Sequence, residues 1–140
     1  MAKRSPIIEM TSYGIYSTWD SKSKHLPKIQ EFTTHVPADI DVEFGFIVNI
    51  KKAKGAVIHY CIDHPGILSK KGDPLAPFEG EEHVDSNDWD FYLGDTIWAP
   101  VNDKLGQWQM RIELNGRTIA EKTFHLVARD AGQFWKKRGF

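Results

Sequence analysis

The chain has 140 residues, 41% of them hydrophobic and 26% charged, and a formal net charge of −1. The length suits one domain with its own core, and the composition is too apolar for disorder. Charge this close to balance supplies no positive field to gather DNA or RNA, so general nucleic-acid binding is disfavoured.

The amino terminus, M-A-K-R-S-P-I-I-E-M, carries a basic pair, but Glu9 interrupts the apolar run behind it. The stretch lacks the uninterrupted apolar segment of a secretory signal, and no window approaches the roughly 18 apolar residues of a membrane span. Cys61 is the only cysteine, so no intrachain disulfide can form. These features together predict a cytoplasmic protein, with residues 1–6 as an extension ahead of the fold.

Residues 7–19, I-I-E-M-T-S-Y-G-I-Y-S-T-W, are rich in strand formers and make the first predicted strand. Gly14 within it marks a bulge or a close backbone approach. Residues 32–36 make a short second strand, ended by Pro37. Residues 41–50, D-V-E-F-G-F-I-V-N-I, are the strongest: Val42, Phe44, Phe46, Val48 and Ile50 fall on one face, Glu43, Gly45, Ile47 and Asn49 on the other. A lysine-rich turn leads into another strand, residues 56–63. Proline and glycine clusters then predict a long loop over residues 64–80, of the kind that is often functional or mobile. Residues 89–93 form a short strand and residues 94–105 a second irregular connection. The closing segment, residues 106–126, alternates Trp108, Met110, Ile112 and Leu114 with polar neighbours, turns at Asn115-Gly116, and returns through Ile119, Phe124 and Leu126. Asn-Gly tolerates the two positive φ angles of a type I′ hairpin turn. Ile119 and Phe124 have opposite parity, which predicts a bulge near Ala120-Glu121. Short strands punctuated by turns, with no amphipathic helix, predict an all-β antiparallel sandwich over residues 7–128. A basic–aromatic tail, residues 129–140, follows it.

The pattern G-x-W-x-x-x-I-x-x-x-G-x-x-I-A-E-K-x-F-x-L at residues 106–126 resembles the last hairpin of many bacterial immunoglobulin-like domains. Together with I-D-V-E-F-G-F-I-V-N-I-K and N-D-W-D-F-Y-L-G-D-T-I-W-A-P, it makes the chain resemble an uncharacterised bacterial family of unknown function. The resemblance implies an immunoglobulin-like β-sandwich of one domain and brings no catalytic residue with it. With one cysteine, the disulfide-pinned core of antibody domains is ruled out.

His59, Cys61 and Asp63 share one strand face and His64 follows, a conceivable transition-metal patch, but one thiolate without a spaced second pair reads better as a core cysteine beside a half-buried histidine. Glu79, Glu81, Glu82, Asp85, Asp88 and Asp90 offer oxygen ligands to calcium without the order of an EF-hand, and read better as a solvated rim. The motifs of nucleophile elbows and phosphate-binding loops are missing. Trp89, Phe91 and Trp108 are predicted core. Trp98, in a loop beside Pro100, is a candidate partner contact. In the tail, Phe134, Trp135, Lys136, Lys137 and Arg138 are further candidates, expected to dock on the sandwich or on a second chain.

The reading is therefore a non-enzymatic binding or protein-interaction module without cofactor or metal, whose partner is another protein or another copy of itself. Two alternatives stand beside it: a small hydrolase or metal-dependent enzyme using the loops from His64 to Asp90, and an accessory domain acting as a homo-oligomer.

Overall fold

The structure, a computed structural model, describes residues 5–17 and 25–128. Among these, nine strands form two packed sheets: β1 (Ile7–Tyr16), β2 (Ile29–Glu31), β3 (His35–Pro37), β4 (Glu43–Lys51), β5 (Val57–Asp63), β6 (Phe78–His83), β7 (Asp88–Thr96), β8 (Gly106–Leu114) and β9 (Arg117–Val127). One sheet has the order β2-β1-β4-β7, the other β3-β9-β8-β5-β6. This is an immunoglobulin-like β-sandwich, with one departure from the expected antiparallel pairing: β3 runs parallel to β9. The strand expected over residues 32–36 is instead two short ones, β2 before it and β3 from His35, and Pro37 is the last residue of β3 rather than the first beyond it, which an edge strand tolerates because its free side needs no amide donor.

The core is what alternation dictates. Phe44, Phe46, Val48 and Ile50 of β4 meet Trp108, Met110, Ile112, Phe124 and Leu126 of the opposite sheet, all at most 2% exposed. Phe44 sets its edge against both Trp108 and Phe124, with centroids 5.2 and 5.5 Å apart. Val42, expected in this set, is only half-buried, because β4 begins one residue later and Asp41 turns the chain with φ 73°. Trp89 and Phe91 are likewise half-buried, stacked 5.2 Å apart along the edge strand β7.

The hairpin is as predicted, with φ 53° at Asn115 and 77° at Gly116. Its bulge lies one residue earlier than expected. Ile112 pairs with Ala120 and Glu113 with Thr118, so Ile119 is the extra residue. In β1 the irregularity falls at Thr11, between Met10 and Ser12, whereas Gly14 makes the close approach: a Cβ there would stand 2.0 Å from the Glu31 carbonyl oxygen.

Other segments depart from expectation as well. Residues 94–96, expected in the second irregular connection, extend β7, which runs Asp88–Thr96. Phe78–His83, placed partly in the long loop, is strand β6, so that loop spans only residues 64–77. β6 escapes the period-two signal because it is an edge strand with little to bury: Gly80 faces inward and leaves its place to the Tyr60 ring, which an added Cβ would meet at 2.3 Å. The outer face of β4, which alternation set apart from the core face, is buried too. Glu43 and Asn49 are 3% and 8% exposed. Gly14, Gly45 and Gly94 line up across β1, β4 and β7, and the Tyr16 and Tyr92 rings meet edge to face 5.0 Å apart on this face. Tyr92 Oη and Thr96 Oγ1 donate to the two Glu43 carboxylate oxygens. Burial first, then the Glu43 charge, push the Tyr92 hydroxyl far above its ordinary range, so it stays a neutral donor and satisfies the carboxylate that the sheet encloses.

Candidate interaction site at the loop end

The topology separates the connections by length. At one end of the sandwich lie the tight links: residues 52–56, residues 84–87 and the Asn115-Gly116 turn. The other end collects residues 38–42, 64–77 and 97–105, and β9 delivers the chain there at Val127 beside β3 and Gly106. Loops gathered on a rigid scaffold are where binding residues concentrate.

The loop of residues 64–77 is built rather than slack. Ile67, 1% exposed, pins it into the core. The Ser69 amide donates to the Asp73 carbonyl at 2.8 Å, Gly72 to Ser69 at 2.9 Å, and Leu75 to Ile67 at 2.9 Å. Leu68 and Pro74 bridge as a short antiparallel pair. At its base His64 packs on Phe78, 4.7 Å between centroids, and reaches Trp108 at 6.0 Å. Its Nδ1 lies 2.6 Å from the Pro65 carbonyl oxygen and its Nε2 2.9 Å from that of Ala76.

Residues 97–105 close the end of the core with a charge. A single 3-10 turn, Asn102–Lys104, drives Lys104 inward until it is fully buried. Its Nζ donates to the Pro100 carbonyl at 2.6 Å and to Asp103 Oδ1 at 2.8 Å, and sits 4.3 Å from the Trp98 ring centre. The Lys104 carbonyl accepts from Trp108 Nε1 at 2.8 Å. A buried ammonium requires such a shell of acceptors and ring face. The Lys104 hydrogen bond holds the Asp103 carboxyl below its ordinary range, and its other oxygen accepts from the Leu68 amide at 3.3 Å, tying the two loops together. Trp98 is thus half-buried between Lys104 and Phe78, whose ring centre is 6.1 Å away, and is not a free loop tryptophan. Nothing in a local reading of N-D-K-L-G marks the lysine as buried. The signal was its distance along the chain from Trp98 and Trp108, which only the fold converts into contact.

Asp95, the residue of β7 paired with Phe44, points into the same end. Burial raises its carboxyl to about 6, against the pull of the Thr96 amide and the His64 and Lys104 charges.

Around this packed floor the exposed turn of residues 70–73 is polar, but the loops also carry exposed apolar side chains. Among the described residues, Ile40, Leu68, Leu75, Leu105 and Val127 are five of the seven exposed large hydrophobics, at 56%, 50%, 37%, 37% and 38%. Ile40, Val42 and Val101 line an open hollow of about 540 Å³ with Ala38, Asp39 and Asp41. Such clustering marks an interaction surface more than scattered single residues do. The tail candidates Phe134, Trp135, Lys136, Lys137 and Arg138 lie outside the described residues.

A second concavity, about 570 Å³, opens on the outer face of the larger sheet among His59, Cys61, Glu79, Glu81, Arg111 and Glu113. In it Arg111 pairs with Glu113 at 3.4 Å, and His59 Nδ1 lies 3.3 Å from Glu81 Oε1, both pairs open to water. Burial pushes the Cys61 thiol up, so it is a poor source of nucleophilic thiolate. His64 is on the loop end, apart from the His59–Cys61 face it follows in sequence. Of the acidic run, Asp88 and Asp90 both accept from Asn49 Nδ2, at 2.7 and 2.8 Å. Among the described residues, no group of three or more His, Cys, Asp or Glu side chains is arranged to hold a metal ion.

The model of a domain of unknown function, DUF3859, matches residues 4–126. The chain belongs to this family. Among solved structures, the chain is similar to an immunoglobulin-like protein from Pseudomonas aeruginosa, with a TM-score of 0.72 at 20% identity over 91% of this chain and 100% of that one. At this identity the likeness establishes the fold of the DUF3859 chain and nothing of its activity. An alkylpurine DNA glycosylase from Pseudomonas fluorescens aligns over 68% of this chain and 28% of its own, at 14% identity and a TM-score of 0.41, too weak to bear on either. No curated protein matches the chain. Among the described residues no helix is long and apolar enough to cross a membrane.

Proposed function

We propose that this DUF3859 chain is a non-enzymatic, cytoplasmic interaction module that binds a protein partner through the loop end of its sandwich. The observation that carries the reading is the apolar cluster of Leu68, Leu75 and Leu105 displayed on loops whose own hydrogen bonds and buried anchors fix their shape. Apolar side chains held on pre-shaped loops bind without the ordering cost that a slack loop would meet. His64, whose two ring nitrogens both face carbonyl oxygens of its own loop, is engaged by backbone rather than turned to a substrate, which favours binding over the enzymatic alternative.

The test compares proteins captured from the native host by the wild-type chain, by Leu68→Asp with Leu75→Asp, and by Glu82→Gln on the exposed edge strand. The three should have the same circular dichroism and melting temperature within a few degrees, since exposed substitutions shift stability little. The reading expects a discrete partner that the double variant loses and the Glu82 variant keeps. Equal capture by all three would refute it. Light scattering of the wild type separates a second copy of the chain from a different protein.

A further inference from the structure

We propose that His64 is a proton-operated latch on the loop of residues 64–77, holding the apolar tip in shape when protonated and releasing it when neutral. The geometry requires it. A carbonyl oxygen only accepts, and the His64 ring faces one on each side, Pro65 at 2.6 Å and Ala76 at 2.9 Å. Neutral imidazole has one N–H and one lone pair, so it satisfies one carbonyl and sets its lone pair against the other; only imidazolium donates to both. The two carbonyls bracket the loop at its beginning and its end, so the ring closes the loop across its base.

The surroundings suit a cation. Asp95 of β7 and Lys104 of the 3-10 turn are the charged groups on the packed elements, with Asp103 neutralising Lys104 and Glu43 engaged by Tyr92 and Thr96. β6 and β8 present the Phe78 and Trp108 rings to the imidazole. Asp95, a carboxylate above about pH 6, adds a negative charge on the side of the ring from which an imidazolium gains.

The latch bears on binding only through the reading of the loop end as the partner surface, but it is measured without any partner. Amide hydrogen exchange at Ser69, Gly72 and Leu75, corrected for the intrinsic pH dependence of exchange, should slow about five- to tenfold between pH 8 and pH 5.5, the worth of one hydrogen bond. His64→Gln should lose that dependence and stay at the fast limit, while the Ile112 amide in the core keeps its protection in both proteins. Nitrogen NMR of the His64 ring should show both nitrogens protonated at the low-pH plateau. Loop protection that is flat with pH in the wild type, or equal in His64→Gln and wild type, overturns the latch. Loss of the latch with partner capture intact at both pH values would leave the binding reading standing. A working latch with capture unaffected by the Leu68 and Leu75 substitutions would refute the binding reading alone.

Discussion

Two charged side chains hold the loop end together, and they make opposite predictions when altered. Lys104 is fully buried and its partner Asp103 touches water. Removing Asp103 leaves an enclosed ammonium short of its counter-charge and also frees the Leu68 amide, so Asp103→Ala should cost about 3–5 kcal/mol in urea titration. Lys104→Met removes the charge itself and keeps the stem against Trp98; Asp103 can then hydrate, and the cost should be clearly smaller. The reverse order would mean that Lys104 is not enclosed. Asp95 supplies a pH signature. Its carboxyl titrates near 6 in the fold against an ordinary 3.8, so the folded state binds the proton more tightly than the unfolded one. Its contribution is complete below the unfolded value, fades as pH rises to about 6, and is absent above it. Asp95→Asn, which keeps an oxygen for the Thr96 amide, should be the more stable protein above pH 6, by on the order of 3 kcal/mol. Its stability should also be flatter between pH 4 and 6, as read by denaturation at each pH.

At the scale of elements, the legibility of the chain followed what each strand buries. β4, β8 and the Asn115-Gly116 turn could be read directly, because one face of each is core and the turn needs two positive φ angles. β6 could not, since an edge strand with Glu79, Glu81 and Glu82 presents carboxylates as its protection against pairing and shows no alternation. The outer faces of β4 and β7 read as polar because periodicity says which side a residue takes, not where a long side chain goes next. Tyr92 lies back over Gly94, and a Cβ there would stand 2.1 Å from its hydroxyl. Gly94→Ala should therefore expel Tyr92 from Glu43 and leave an enclosed carboxylate with one donor fewer, destabilising the protein by about 2 kcal/mol or more. Thermal unfolding measures this directly, and an unchanged melting temperature would show that the tyrosine has another place to go. The two long loops were legible, as residues 64–80 and 94–105, a few residues longer than the 64–77 and 97–105 of the fold, but the roles of His64 and Lys104 were not. Both depend on backbone oxygens of other loop residues, whose direction only folding sets.

For the molecule as a whole, the described residues put their long loops at one end of the sandwich and their tight turns at the other. The loop end has a floor packed around the buried Lys104 and exposed apolar side chains on the loops above it, a division of labour between stability and contact. The outer groove at His59 and Glu81 is the competing surface, but Arg111 is held by Glu113 and His59 lies against Glu81 in water, and such exposed pairs contribute little. The most direct test of the loop end as the partner surface is photo-crosslinking in the native host. A photoreactive residue is placed singly at Leu68, at Leu75, at Glu81 and at Gly116. The account predicts one discrete adduct of the same partner from positions 68 and 75 and none from positions 81 and 116. An adduct confined to position 81 or 116 would contradict it.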